Sequence, residues 1–167
     1  MPKIVTNLWF DGQAEEAAAF YTAIFPNSRI DKVFHAPADF PSGKKGDVLT
    51  VDFTLDGQPF TGLDGGPADW NFNESISFLV ECDDQAEVDR YWEALAAGGG
   101  EHGPCGWLKD RFGVSWQITP RRLQELLDSD DRDAAQRAME AMLQMGKLDV
   151  AELEAAAAGA TPSGSRA

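Results

Sequence analysis

The residue best suited to covalent chemistry in this chain is a cysteine in a stretch rich in glycine and charge. Cys105 stands between Pro104 and Gly106, with His102 and Lys109 close by in the sequence. A reactive thiol would need a neighbouring cation, His102 or Lys109, to stabilise its thiolate. A small buried residue near a turn is the plainer interpretation of Cys105, and we favour it. Lys109 either binds an anionic group of a ligand or forms a local ion pair in a solvated turn.

Polar side chains that suit non-covalent binding recur at every second position of two strand-like segments. Ser115 and Gln117 alternate with apolar residues over 114–119, and Ser77 does so over 75–80. A strand that packs against a helix on one face and is open on the other shows this alternation. We therefore expect the polar face to line a cleft, with contact to bulk water as the alternative.

Three aromatic residues fall in predicted loops and not on the apolar stripes of helices or strands. They are Trp70, Phe72 and Trp107. Aromatic side chains at the mouth of a cleft suit a flat or apolar ligand. The alternative is that they cover an edge between modules or a dimer face.

A near-repeat predicts the elements that position these residues. Residues 11–15 read DGQAE and residues 83–87 read DDQAE, and each copy follows an apolar strand-like run and opens an amphipathic helix. A repeated strand–helix unit indicates the duplication of a module too small to bury its own core. We interpret the repeated polar residues as stabilising the starts of the two helices; they are Asp11, Gln13, Asp83 and Gln85. Asp11 or Gly12 would cap the first helix.

The apolar periodicity predicts a β-α-β-β-β order for the first module and a similar second module. The first module contains strand segments 4–10, 29–35, 48–55 and 58–64, the last two joined by an Asp56-Gly57 hairpin turn. The second contains strand segments 74–82, 101–110 and 112–119. We predict a paired domain over residues 1–120, with modules at about 3–66 and 74–119. A helical extension over 121–156, with a cap at Ser129 or Asp130, and a flexible tail over 157–167 follow it.

The composition excludes several classes of partner. Fourteen Lys and Arg residues oppose 28 Asp and Glu residues, which gives a net charge of −14. Nucleic acid and anionic membranes are therefore not expected as partners. Two cysteines, Cys82 and Cys105, do not make a disulfide framework, and the chain starts without a signal-peptide pattern, so we expect a cytoplasmic protein.

The segment at residues 105–120, CGWLKDRFGVSWQITP, resembles the signature of PhnB-like proteins. These proteins carry the label 3-demethylubiquinone-9 3-methyltransferase and belong to the vicinal oxygen chelate superfamily of glyoxalases, bleomycin-resistance proteins and extradiol dioxygenases. Residues 7–12 and the tail at 139–154 resemble the family as well. The resemblance implies an α+β fold of two βαβββ modules, whose curved sheets form a cleft, plus C-terminal helices. No glycine-rich loop with a downstream acidic ribose ligand supports methyl transfer.

The resemblance also bears on metal binding. Enzymes of the superfamily hold a divalent metal through His and Glu side chains on the inner strands. The matching positions here fall near Thr6, Gly62 or Leu63, Ser77 and Gln117, and none is a histidine, cysteine or carboxylate. The resemblance therefore implies that the usual metal site is lost, and we expect neither a metal nor another cofactor. Thr6, Ser77 and Gln117 would instead offer hydrogen bonds to a ligand.

Together these features predict a homodimeric, glyoxalase-like protein that binds a small molecule in its cleft. The alternative is a superfamily enzyme, of lyase, isomerase or dioxygenase type, that acts on a small carbonyl, phenolic or quinone-like substrate. That enzyme would need a metal held by Asp52, Asp64 or Glu81, or chemistry performed by Cys105.

Overall fold

The computed structural model describes residues 2–160, which form two compact units divided after Asn71. The first unit contains β1 (Thr6–Phe10), α1 (Ala14–Ile24), β2 (Arg29–His35), β3 (Val48–Leu55) and β4 (Gln58–Asp64). The second unit begins with β5 (Ser77–Cys82), α2 (Gln85–Ala96), β6 (Glu101–His102), β7 (Trp107–Lys109) and β8 (Ser115–Pro120). It ends with α3 (Arg121–Leu127), α4 (Arg132–Met142) and α5 (Val150–Ala157).

The two units repeat one sheet topology. The strand order is β1-β4-β3-β2 in the first unit and β5-β8-β7-β6 in the second. In each unit the first and last strands pair in parallel, and the remaining pairs are antiparallel. The predicted α+β fold of paired βαβββ modules is confirmed.

The core of the first unit lies between its sheet and α1. Ala14, Ala17, Ala18 and Tyr21 are buried on one face of α1, and the Tyr21 ring stacks on Phe53 with centroids 6.3 Å apart. The predicted hairpin joins β3 and β4, where Asp56 and Gly57 both have positive φ (45° and 80°). This geometry matches the right-handed twist of the two strands.

Helix α2 fixes the core of the second unit. Its buried residues are Val88, Tyr91, Trp92 and Leu95, which is the predicted apolar stripe. The side chain of Asp84 caps the helix by accepting a hydrogen bond from the Glu87 amide. Gly98 and Gly99 have positive φ (79° and 124°), so the helix ends at the predicted glycine run.

The three C-terminal helices share a small core of their own. Its buried members are Leu123, Leu126, Ala138, Leu148, Leu153 and Ala157. Asp131 caps α4, so the predicted cap at Ser129 or Asp130 was wrong by two residues or by one. Helix α5 runs to Ala157, although we expected the flexible tail to begin there. Residues 161–167 of the predicted tail lie outside the described residues.

Several predicted boundaries were too wide. Strand β1 begins at Thr6 and not at residue 4, and β5 begins at Ser77 and not at Glu74, because Asn73 and Ser75 form a side-chain turn there. The predicted strand over 101–110 is split into β6 and β7 by a turn. No helix within residues 2–160 combines the length and the apolar character that crossing a membrane requires.

Candidate functional site

A pocket of about 400 Å³ lies on the second unit, where β6 and β7 meet the start of β8. Its lining residues are Glu74, Glu101, His102, Gly103, Pro104, Trp107, Leu108, Lys109 and Ser115. The volume falls within the range of small-molecule sites, which are concave and mostly apolar with a few polar groups.

The strand register brings three of the predicted site residues into this lining. Trp107 and Lys109 alternate with the buried Leu108 along β7, so they point to the same side. Lys109 lies opposite Ser115 on β8, and Glu101 of β6 lies opposite Lys109. An indole, an ammonium and a hydroxyl therefore share one wall of the pocket.

Ser115 is the unusual member of this group. It is only 1% exposed, and its hydroxyl has no hydrogen-bond partner within the described residues. A buried hydroxyl without a partner costs about 1–3 kcal/mol. Ser115 is also a lining residue of the pocket, and a polar atom of a bound molecule that reached this hydroxyl would remove that cost.

An ion pair occupies the rim of the pocket. The Lys109 ammonium contacts the Glu74 carboxylate directly. Their hydrogen bond raises the pKa of Lys109 and lowers the pKa of Glu74, so both groups stay charged at neutral pH. Both side chains are well exposed, and such a pair contributes little to stability. Lys109 therefore forms an ion pair, but with Glu74 and not within its own turn, and its role in binding an anionic group stays a prediction.

His102 also lies in the pocket lining, although the sequence analysis considered it only as a cation beside the Cys105 thiol. Its ring stacks on Trp92 with centroids 4.3 Å apart and an interplanar angle of 7°. Its Nε2 atom is 2.9 Å from the Trp92 carbonyl oxygen. Since a carbonyl only accepts, Nε2 is the donor in this contact.

Asp110 holds the turn between β7 and β8. Its buried carboxylate accepts hydrogen bonds from the Phe112 amide (2.9 Å), the Val114 amide (3.0 Å) and the Trp116 indole Nε1 (2.9 Å). These bonds hold Val114, the residue directly before β8, and thereby fix where β8 begins at Ser115. The charged turn therefore contains a structural residue that the sequence did not single out.

Ser77 and Gln117, at two positions that match superfamily metal ligands, bond to each other. The Gln117 Nε2 atom donates to the Ser77 Oγ atom at 2.9 Å. Both lie on the polar strand face that the alternation predicted, but neither belongs to the pocket lining. Their role in binding stays a prediction.

The candidate positions of the first unit have other surroundings. Thr6 shares its face of β1 with the buried Leu8 and Phe10, because side chains alternate along a strand. A Cβ atom at Gly62 would lie 3.1 Å from the Ala14 Cβ atom, so this position faces α1. Neither residue points to the exposed face of the sheet, and the role of Thr6 in binding stays a prediction.

The loop aromatics differ in their contacts. Trp70 is 60% exposed and packs edge-to-face on Trp9, with centroids 5.2 Å apart. The Trp9 indole also donates to the Gly66 carbonyl at 2.8 Å. Phe72 is half-buried near Gly113 and is not in the pocket lining, whereas Trp107 is.

The two cysteines occupy different environments. Cys82 is fully buried, and burial raises the pKa of its thiol to about 12, so it stays protonated. Cys105 is half-buried and has a φ of 56°. It lies in a turn whose neighbours line the pocket, but Cys105 itself is not among the lining residues.

The alternative metal ligands already have protein partners. Asp52 accepts from the Thr61 hydroxyl at 2.8 Å, and Asp64 accepts from the Ala14 amide at 2.9 Å. Glu81 lies 3.9 Å from the Arg121 guanidinium. Between residues 2 and 160, no three side chains among His, Cys, Asp and Glu cluster as a metal site would require.

A family model described as 3-demethylubiquinone-9 3-methyltransferase matches residues 2–119. The chain belongs to this family. The expected resemblance is thereby confirmed over the paired modules, whereas the match does not extend to the tail at 139–154.

Solved structures agree with this assignment. A PhnB protein from Bacillus cereus, described with the same methyltransferase name, is 36% identical, with a TM-score of 0.63. The similarity covers 71% of this chain and 99% of that protein. Protein PA1353 from Pseudomonas aeruginosa shares the fold at 22% identity and a TM-score of 0.59, over 72% of this chain and 98% of its own. Among curated proteins, none matches this chain.

Proposed function

We propose that this protein binds a small, flat and mostly apolar molecule in the pocket of the second unit. The observation that carries the proposal is that Ser115, a lining residue of the pocket, has a buried hydroxyl that lacks a partner within the described residues. Trp107 and Pro104 supply apolar surface beside it. A ligand with an aromatic body and one hydrogen-bonding group would satisfy both features.

We propose further that this binding does not use the divalent metal of the superfamily enzymes. The positions that match their ligands hold no imidazole or carboxylate, and in the second unit Gln117 is bonded to Ser77. The methyltransferase description is a family name only. No feature of the pocket points to methyl transfer, and binding is the activity that its side chains support.

Phenol and toluene form a matched pair of probes, because they share a shape and differ in one hydroxyl. We expect the wild-type protein to bind phenol more tightly than toluene in calorimetric titrations. The change Ser115→Ala should raise the phenol dissociation constant about three- to tenfold, as expected for one lost hydrogen bond. Toluene affinity should stay the same or improve.

Two controls sharpen this experiment. Ser75→Ala removes an exposed hydroxyl outside the lining and should leave both affinities unchanged. Addition of EDTA should leave phenol binding unchanged as well. Equal affinity of the wild-type protein for phenol and toluene would refute the role of Ser115, and loss of phenol binding in EDTA would refute metal-free binding.

A further inference from the structure

The pocket wall is attached to the C-terminal extension by main-chain hydrogen bonds. We call residues 103–107 the wall turn and residues 145–150 the anchor segment. Two wall-turn amides donate to the anchor segment, Cys105 to the Met145 carbonyl and Gly106 to the Gly146 carbonyl, each at 2.8 Å. Gly103, Pro104 and Trp107 of the same turn line the pocket.

The geometry of the wall turn explains why these amides need partners. The Trp107 amide donates to the Pro104 carbonyl at 3.0 Å, and the two residues between them have positive φ, 56° at Cys105 and 82° at Gly106. The amides of these central residues do not bond within the turn. Position 106 also requires glycine, since a Cβ atom there would lie 2.7 Å from the Ile118 carbonyl oxygen.

Gln85 fixes the anchor segment to α2. Its Nε2 atom donates to the Leu148 carbonyl at 3.0 Å, and its Oε1 atom accepts from the Val150 amide at 2.8 Å. The Lys147–Asp89 ion pair, at 2.9 Å, adds a second link to the same helix. Leu148 itself is buried among the C-terminal helices, 1% exposed. We expected the Gln85 side chain to stabilise the start of α2, but it forms hydrogen bonds with the C-terminal extension.

We propose that Gln85 and the anchor segment are positioning elements of the ligand pocket, which makes the C-terminal extension part of the binding site. The proposal rests on the proposed function of that pocket. Gln85 does not contact the ligand; it holds the anchor segment, which holds the wall turn and thereby places Trp107. The anchor segment lies beyond residue 119, where the family match ends.

The near-repeat supplies a matched control. Gln13 occupies the position of Gln85 in the first module, and it makes no side-chain capping bond. Gln85→Ala and Gln13→Ala thus remove the same group from matching positions of the repeat, the first residue of α2 and the residue before α1. The first is expected to raise the phenol dissociation constant about three- to tenfold, because it frees the anchor segment from two hydrogen bonds. The second is expected to leave it unchanged.

Amide hydrogen exchange provides a readout that needs no ligand. Gln85→Ala should speed exchange at the Cys105 and Gly106 amides and leave the amides of α4 unchanged, whereas general destabilisation would affect both. Gln85→Met, which is close to glutamine in size and removes the same two hydrogen bonds to the anchor segment, should give the same result if the alanine variant does not fold.

The possible results separate this inference from the proposed function. If the wild-type protein does not bind phenol, the proposed function fails, and the exchange rates alone decide whether Gln85 holds the wall turn. Unchanged exchange at Cys105 and Gly106 in both Gln85 variants would overturn the inference. Faster exchange with unchanged phenol affinity would also overturn it, because the wall turn would then be irrelevant to binding.

Discussion

At the scale of single residues, Asp110 lies in a charged stretch of sequence but is buried and holds a turn. The sequence Lys109-Asp110-Arg111 reads as a solvated turn, yet Asp110 is 3% exposed and its carboxylate binds three N–H groups. The partners lie two to six residues away. Sequence alone did not indicate that they converge on one carboxylate, because that depends on the path of the turn.

Replacement of Asp110 should therefore be costly. Asp110→Asn presents an amide to the Trp116 indole or to the turn amides, so one donor faces another, and we expect a loss of about 2–4 kcal/mol in the free energy of unfolding. Urea denaturation measures this loss. Asp130→Asn, at an exposed position between α3 and α4, is the control and should change stability by less than about 0.5 kcal/mol. Equal effects of the two variants would contradict the role of Asp110.

Among the candidate site residues, the alternation of polar and apolar positions was the informative signal. It predicted the shared face of Ser77 and Gln117, which are hydrogen-bonded to each other. It did not indicate that Ser115 is buried, because burial depends on the neighbouring strand and turn. His102 and Glu101 were missed as lining residues since nothing in their local sequence marks them.

At the scale of elements, the two helix starts diverge although their sequences repeat. Asp84 caps α2 from within the repeat, whereas α1 receives its cap from Asp64 at the end of β4, 50 residues away. The predicted cap at Asp11 or Gly12 was therefore wrong. The repeat predicts where each helix starts. It does not predict a cap that comes from a strand far away in the sequence.

Two substitutions at Asp64 separate its cap from its charge. Asp64→Ala removes the acceptor for the Ala14 amide and should cost about 1 kcal/mol of unfolding free energy. Asp64→Asn keeps an acceptor. Burial raises the pKa of Asp64 above its usual 3.8, although the amide bonds oppose this. The folded protein therefore binds the carboxyl proton of Asp64 more tightly than the unfolded chain does. The contribution of Asp64 to the free energy of unfolding falls as the pH rises above 3.8.

The asparagine variant lacks this titration, so its stability relative to the wild-type protein should be higher at pH 7 than at pH 3. Its relative stability should decline as the pH falls towards 3, where Asp64 is protonated in the folded protein. Chemical denaturation at both values measures the difference. A larger deficit of Asp64→Asn at pH 7 than at pH 3 would contradict this sign.

Helix α5 and its anchor segment mark another limit of sequence reasoning. The sequence predicted that the helical extension ends at residue 156, yet alanine is the strongest helix former, and the alanine run continues α5 to Ala157. The link from Gln85 to Leu148 joins residues 63 positions apart. No periodicity in the chain indicates such a contact.

At the scale of the whole molecule, the duplicated module was predictable because a short repeat and apolar periodicity agreed. Both sheets have the same strand order, and the family match covers both modules. The chemistry of the units nevertheless differs, since the described pocket with its buried hydroxyl lies on the second unit. The predicted homodimer stays a prediction that light scattering can test.

The central claim is that the pocket beside Ser115 binds a small molecule. The most direct test is a titration of isotope-labelled protein with phenol, followed by amide and indole NMR shifts. The shifts should be saturable and largest at Ser115, Trp107 and Lys109, and they should weaken in Ser115→Ala. Saturable shifts centred on other residues, or no shifts at millimolar phenol, would contradict it.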